Sequence, residues 1–262
     1  MPIEKMISKK ENGVGWMILN NPERHNAISL EMWDAALEIM QDFRADPAVR
    51  VLVMTGAGGK AFASGADISK FKDERQEAAA VAHYQATTQK AYDALLGMPI
   101  PTIAMIRGYC IGGGTAVAVC CDIRICTENA KFGVPAAKLG LGYGMNRAKP
   151  LVDLIGPAYA KEMFFTGRQF TAQEAEKMGL VNRVVPDDQL ESVISEMAKS
   201  IAENAPLTVK CAKLVVGEVL KDPGSRDVAA TERAVEACFR SADYKEGQAA
   251  FMEKRKPRFI GA

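Results

Sequence analysis

Histidine is scarce in this chain: only His25 and His83 occur among 262 residues, far apart. No Cys, Asp or Glu cluster at metal-ligand spacing accompanies either, so a structural metal is not expected. The six cysteines (Cys110, Cys120, Cys121, Cys126, Cys211 and Cys238) contain no C-x-x-C pair and mostly stand among apolar residues. They read as reduced, packed side chains of a cytosolic protein. No run of about 18 apolar residues occurs, which argues against a membrane span. The N-terminal MPIEKMISKKENG has no apolar centre and no small-residue cleavage site, so no signal peptide is expected. An excess of charge is missing too: 33 Lys+Arg stand against 32 Asp+Glu, a net +1. A chain so balanced, with no lysine-rich helix, offers no stripe for nucleic acid.

What is present is an ordinary globular composition, 48% hydrophobic and 25% charged. The length suits one large domain, alone or with a small appendage. Residues 14–20 (VGWMILN) and 49–55 (VRVLVMT) read as strands. Between them lie a polar loop, NNPERHNAIS, and an amphipathic helix that Ser29 is expected to cap. GAGGKAFASGADISKF is glycine-rich and is predicted to be a loop. Residues 75–97 read as a helix ending at Gly97, PTIAMIRG as a strand, and IRICTENAKFGVP as a further strand and turn. After Gly156 helical segments alternate with loops to the C-terminus. Strands alternating with helices early, and helices dominating late, indicate an α/β fold with a helical C-terminal part.

Three consecutive glycines, Gly112–Gly114, stand between the strand PTIAMIRG and an Ala/Val-rich helical run. Glycine lets backbone approach a ligand closely. A helix N-terminus leaves unpaired N–H groups and carries partial positive charge. The pattern therefore suits the binding of an oxyanion, with a second N–H available from AFASGAD (61–67). It suits equally a close helix–sheet contact with no ligand. The spacing is not G-x-G-x-x-G, so a dinucleotide site is discounted.

Several segments together resemble the enoyl-CoA hydratase/isomerase, or crotonase, superfamily: NPERHNAIS, GKAFASGADI, IRGYCIGGG, CDIRI, FGVPAAKLGLG, FTGRQFTAQEAEKMGLVNRVVP and FMEKRKPRF. They recur in order over roughly residues 10 to 260. The resemblance implies a crotonase-like spiral of ββα units, here residues 1–195, with a helical region at 196–262 used for trimerisation and coenzyme A contacts. It implies an acyl-CoA substrate and a homotrimer or a pair of trimers. No separate cofactor is implied, coenzyme A being part of the substrate. The thioester oxygen would sit between the backbone N–H groups of Ala66 and Gly113. Arg24, Ala63, Ser64, Asp67, Ile68 and Gly112 would border the coenzyme A, and Phe251 and Lys254 would meet it from a neighbouring subunit.

The resemblance also exposes an absence. Hydratases of this family carry a glutamate in GGG-x-E and another in P-E after the F-G turn. Here these positions are Ala116 and Ala136. Addition of water needs a base for the water and an acid for the α-carbon, and each is typically worth about 10²–10⁴-fold. Asp67, Glu74 and Glu77 are the candidate replacements. Decarboxylation of a malonyl-type thioester needs no base to remove a carbon proton, because loss of CO2 itself generates the enolate. LGLGYG, with Tyr143, resembles the methylmalonyl-CoA decarboxylase subgroup, although Ala66 stands where that subgroup has histidine. Tyr143 either orients a substrate carboxylate or donates a proton, or simply packs the pocket wall. Hydrolysis of the thioester and non-catalytic binding of acyl-CoA are the further alternatives. Cys110 is read as packed rather than nucleophilic, since no histidine stands near it in sequence.

Overall fold

The computed structural model describes residues 4–67 and 78–262. Two sheets organise the chain. The larger runs β1 (Met6–Glu11), β2 (Val14–Leu19), β3 (Val51–Gly56), β5 (Thr102–Ile106), β7 (Ile123–Thr127) and β10 (Arg183–Val185) in spatial order. The β1–β2 pair is antiparallel and every later pair is parallel. The smaller contains β4 (Ala61–Ala63), β6 (Tyr109–Ile111), β8 (Lys131–Gly133) and β9 (Phe170–Thr171).

Three times the chain forms a strand of the larger sheet and passes directly to the smaller: β3 to β4, β5 to β6, β7 to β8. Each passage is followed by a helix: α2 (Ala78–Leu96), α3 (Gly113–Cys120) and α4 (Met145–Thr166). This alternation is the ββα spiral. Residues of β3 alternate between two cores, Leu52 and Met54 on one face, Val51 and Val53 on the other. Covering both faces is what a parallel sheet requires. The first face carries α1 (Leu30–Ala45) through Met32, Trp33, Ile39, Met40 and Phe43. The second carries α6 (Leu190–Glu203), through Leu190, Ile194, Ala198 and Ala202.

Several elements differ from the sequence reading. The glycine-rich run at 56–71 holds β4, because Ala61–Ala63 is buried and pairs with β6. β1 was not foreseen: only Met6 on this edge strand is buried, so it lacks apolar alternation. Ser29 occupies the N-cap of α1, but its buried hydroxyl makes no capping bond. Helix α4 begins well before Pro157 and is broken at Gly156, whose φ of 71° is left-handed. Of the helix expected over 75–97, residues 75–77 lie outside the described residues.

Helix α6 crosses the 195/196 boundary. Beyond it follow α7 (Pro206–Val219), α8 (Val228–Arg240) and α9 (Ala242–Met252); short α5 (Ala172–Lys177) is closed by a capping box between Thr171 and Glu174. Lys213 of α7 ties back to the sheet, donating to the Ile100 carbonyl (2.9 Å) and pairing with Asp122 (2.7 Å).

Candidate active site

The head of α3 gives each of the three glycines a separate reason. Gly112 has φ +56°, a conformation that side chains disfavour, and its N–H donates to the Gly133 carbonyl at 2.7 Å. A Cβ on Gly114 would lie 2.2 Å from the Ala63 carbonyl oxygen, so this glycine exists for close approach of helix to strand. A Cβ on Gly113 would meet only ordinary contacts, but one of them, at 3.6 Å, is the Ala66 nitrogen. Packing thus accounts for Gly114, while Gly113 lines a gap beside Ala66. Among the described residues, neither the Gly113 nor the Ala66 N–H has a hydrogen-bond acceptor. Side chains Gly114 through Cys120 are buried all round the helix, so its positive N-terminal end faces this gap from a low-dielectric interior.

The second loop is held by hydrogen bonds from NPERHNAIS. Ile28 N–H donates to the Gly65 carbonyl (2.8 Å), Asp67 N–H to the Ile28 carbonyl (3.1 Å), and Ser64 N–H to the His25 carbonyl (2.9 Å). Fully buried Asn26, with φ +54°, anchors the loop by donating to the carbonyls of Ala57 and Ala61. Arg24 pairs with buried Asp67 at 3.3 Å. That ion pair links the two loops and occupies the carboxylate nearest the N–H pair in sequence. Next to it, His25, Lys60, Tyr109 and Lys131 line a cavity of about 320 Å³.

Arg24, Ala63, Ser64, Ala66, Asp67, Gly112 and Gly113 are therefore brought together. Ile68, Glu74 and Glu77 lie outside the described residues. Ala116 and Ala136 are both buried in the same apolar cluster, against which Tyr143 packs. The Tyr143 ring tilts against Phe164, centroids 5.0 Å apart, and burial pushes its hydroxyl up to about 12. At neutral pH it is a donor. Phe251 and Lys254, by contrast, are exposed near the end of α9, and among the described residues no hydrogen bond joins them to the glycine loops. Cys110 is wholly buried, and burial raises its thiol well above the ordinary range, so it is protonated and packed. His83 is exposed on α2.

The sequence reading missed the residues that fix α3. Thr115 Oγ1 donates to the carbonyls of Cys110 (2.6 Å) and Gly133 (3.1 Å), binding the helix head to β6 and β8. Buried Arg124 donates to the carbonyls of Ala118, Cys121 and Leu180 at the other end. A cation there complements the helix dipole. The C-D-I-R-I string contained Arg124, but only the fold shows that it caps α3.

The sequence profile of the enoyl-CoA hydratase/isomerase family matches residues 9–262. The chain belongs to that family. It is 36% identical to a crotonyl-CoA hydratase of Syntrophomonas wolfei, across 99% of each chain. It is 33% identical to a short-chain-enoyl-CoA hydratase of Clostridium acetobutylicum, across 98% of this chain and 97% of that one. Its fold superimposes with a TM-score of 0.92 on an enoyl-CoA hydratase/carnithine racemase from Magnetospirillum magneticum, at 37% identity, covering 99% and 97% of the two chains. The family accounts for the α/β spiral and marks the chain as an enzyme of acyl-CoA thioesters.

Proposed function

We propose that the Ala66 and Gly113 N–H groups receive the thioester oxygen of an acyl-CoA and stabilise an enolate. The observation that carries this is the pair of N–H groups without acceptors, side by side at the head of a buried helix. Such fixed donors are worth about 10²–10³-fold each in an oxyanion hole. The coenzyme A portion runs past Arg24, Ser64 and Asp67, with Lys60 and Lys131 supplying charge for phosphates. The exposed apolar side chains Val216, Val219, Leu220 and Phe239 on and beside α7 and α8 are covered by further copies in a trimer. There Phe251 and Lys254 reach a neighbour's coenzyme A.

The names of the relatives favour hydration or isomerisation of an enoyl-CoA. In that reaction the acid or base comes from a position other than 116 and 136, and the protonated Tyr143 hydroxyl is one proton source. Decarboxylation of a short malonyl-type thioester is the second reading. The observation favouring it is that both buried positions are alanine, and carbon–carbon cleavage needs no base. The deciding assay offers purified protein crotonyl-CoA and methylmalonyl-CoA side by side, with products read by mass spectrometry. Hydration of crotonyl-CoA supports the first reading, and loss of CO2 without hydration supports the second. Turnover of neither, with ligand bound, overturns both. Tyr143→Phe is expected to slow whichever reaction is found, and an unchanged rate removes Tyr143 from the mechanism.

A further inference from the structure

Five described arginines are buried or half-buried: Arg50, Arg107, Arg124, Arg147 and Arg168. Four have two or more oxygen acceptors each. Arg50 and Arg124 donate to backbone carbonyls, Arg107 pairs with Asp187 and Glu191, and Arg168 with Glu162 and Glu174. Arg147, in the first turn of α4, is different. Its side chain donates only to the hydroxyl of buried Thr88, at 2.7 Å, and lies 5.7 Å from the centre of the Tyr92 ring. It has no carboxylate partner among the described residues.

The surroundings repeat this surplus of donors. The hydroxyls of Tyr92 and Tyr143 have no acceptor among the described residues. Trp33 packs edge-on to Tyr92 with centroids 5.2 Å apart, and its buried Nε1 is unpartnered. Tyr92 and Tyr143 both feel Cys120, whose thiol donates to the carbonyl of Ala116 one turn earlier. A buried donor left without an acceptor is costly, and a guanidinium more so. The family's two glutamates would have supplied negative charge to the apolar cluster that holds positions 116 and 136. With alanine there neither does, and the carboxylate that Cys120 feels, exposed Asp93 of α2, accepts from Gln89 (2.8 Å) and not from Arg147. Between α2 and the 142–147 segment, beside Arg147, a cavity of about 520 Å³ is lined by Gln85, Gln89, Gly142 and Gly144.

We propose that Arg147, with the Trp33, Tyr92 and Tyr143 donors around it, binds an anionic group at the far end of the acyl chamber, so that the preferred acyl group carries a carboxylate. The ligand class is a dicarboxylic acid monothioester of coenzyme A. This rests on the acyl-CoA reading above but not on which reaction follows. A neutral enoyl chain would leave the guanidinium without a counter-charge, whereas a carboxylate accepts two parallel N–H bonds from it.

The test is isothermal titration calorimetry of the full chain with two matched pairs, malonyl-CoA against propionyl-CoA and glutaryl-CoA against pentanoyl-CoA. In at least one pair the carboxylated member is expected to bind about tenfold or more tightly. Arg147→Gln should bring that ratio to about one, and Arg147→Lys should retain part of it. A purely structural role for Arg147, through Thr88 and Tyr92, would change stability and leave the ratio alone. Near-UV circular dichroism checks that each variant is folded. A wild-type ratio near one in both pairs overturns the inference while leaving the acyl-CoA reading intact, because neutral thioesters still bind. A preference that survives Arg147→Gln overturns the assignment to Arg147. Failure of all four thioesters to bind overturns both.

Discussion

Two regions with donors to spare, the end at Gly113 where α3 begins and the end at Arg147 where α4 begins, are built on opposite plans. The end at Gly113 is made of backbone: two N–H groups, glycines that keep side chains away, and carbonyl bonds that lock the loops. The end at Arg147 is made of side chains, two tyrosines, a tryptophan and a guanidinium supplied by α1, α2 and the region around the start of α4. A backbone end presents the same donors whatever acyl group arrives, so it suits the thioester that every substrate shares. A side-chain end changes charge and shape by single substitutions, so it suits the part of the substrate that varies. The contrast teaches where tolerance should lie.

The sharpest way to break it is Gly113→Ala. Its added methyl meets nothing nearer than 3.5 Å, so the fold should survive. Because that methyl lies 3.6 Å from the Ala66 nitrogen, turnover of any thioester should fall about 10²–10³-fold. Near-normal turnover in steady-state kinetics would mean that the thioester oxygen binds elsewhere. Gly114→Ala, one residue on, should act on folding instead. Its methyl collides with the Ala63 carbonyl at 2.2 Å, and a loss of about 1–3 kcal/mol or more in urea denaturation is expected.

The thiols and phenols around α3 predict a smaller effect, visible only in alkali. Burial pushes the Cys121 and Cys126 thiols and the Tyr143 hydroxyl up to about 12. In the unfolded chain these groups titrate near ~8.5 and ~10. The folded state therefore holds the protons longer. The stabilising contribution is complete below pH ~8.5 and is lost as pH rises towards ~12. Urea midpoints between pH 7.5 and 10.5 should fall steadily, and a flat profile would show that these groups are not buried in the folded protein. The smallest expected effect is Tyr92→Phe. With no acceptor for its hydroxyl among the described residues, removal should change stability by no more than about 0.5 kcal/mol in thermal melts, while weakening the preference for a carboxylated thioester.

The backbone end was largely legible beforehand, because glycine repeats and their place before an apolar helix have few physical explanations. Even so, the run offered both packing and anion binding: packing accounts for Gly114, and anion binding is what is proposed for Gly113. The side-chain end was hardly legible. Trp33, Thr88, Tyr92 and Arg147 lie on three separate segments, and nothing in their local spacing points to one another. Arg147 in GYGMNRAKPL reads as an ordinary surface cation until Thr88 and Tyr92 are found against it. Likewise Asp67 stood out as a possible acid, and its pairing with Arg24 depends on a contact between two loops.

Local chemistry alone, then, determined the class of fold and the glycine-built helix head, since periodicity and conformational freedom are properties of short stretches, whereas the missing acids at 116 and 136 were visible only through the family resemblance. The tertiary structure decided which N–H groups lie side by side, which carboxylate is already paired and which arginine is left with charge to spare. Those depend on distances between segments remote in the chain, and only the packing of the spiral sets them.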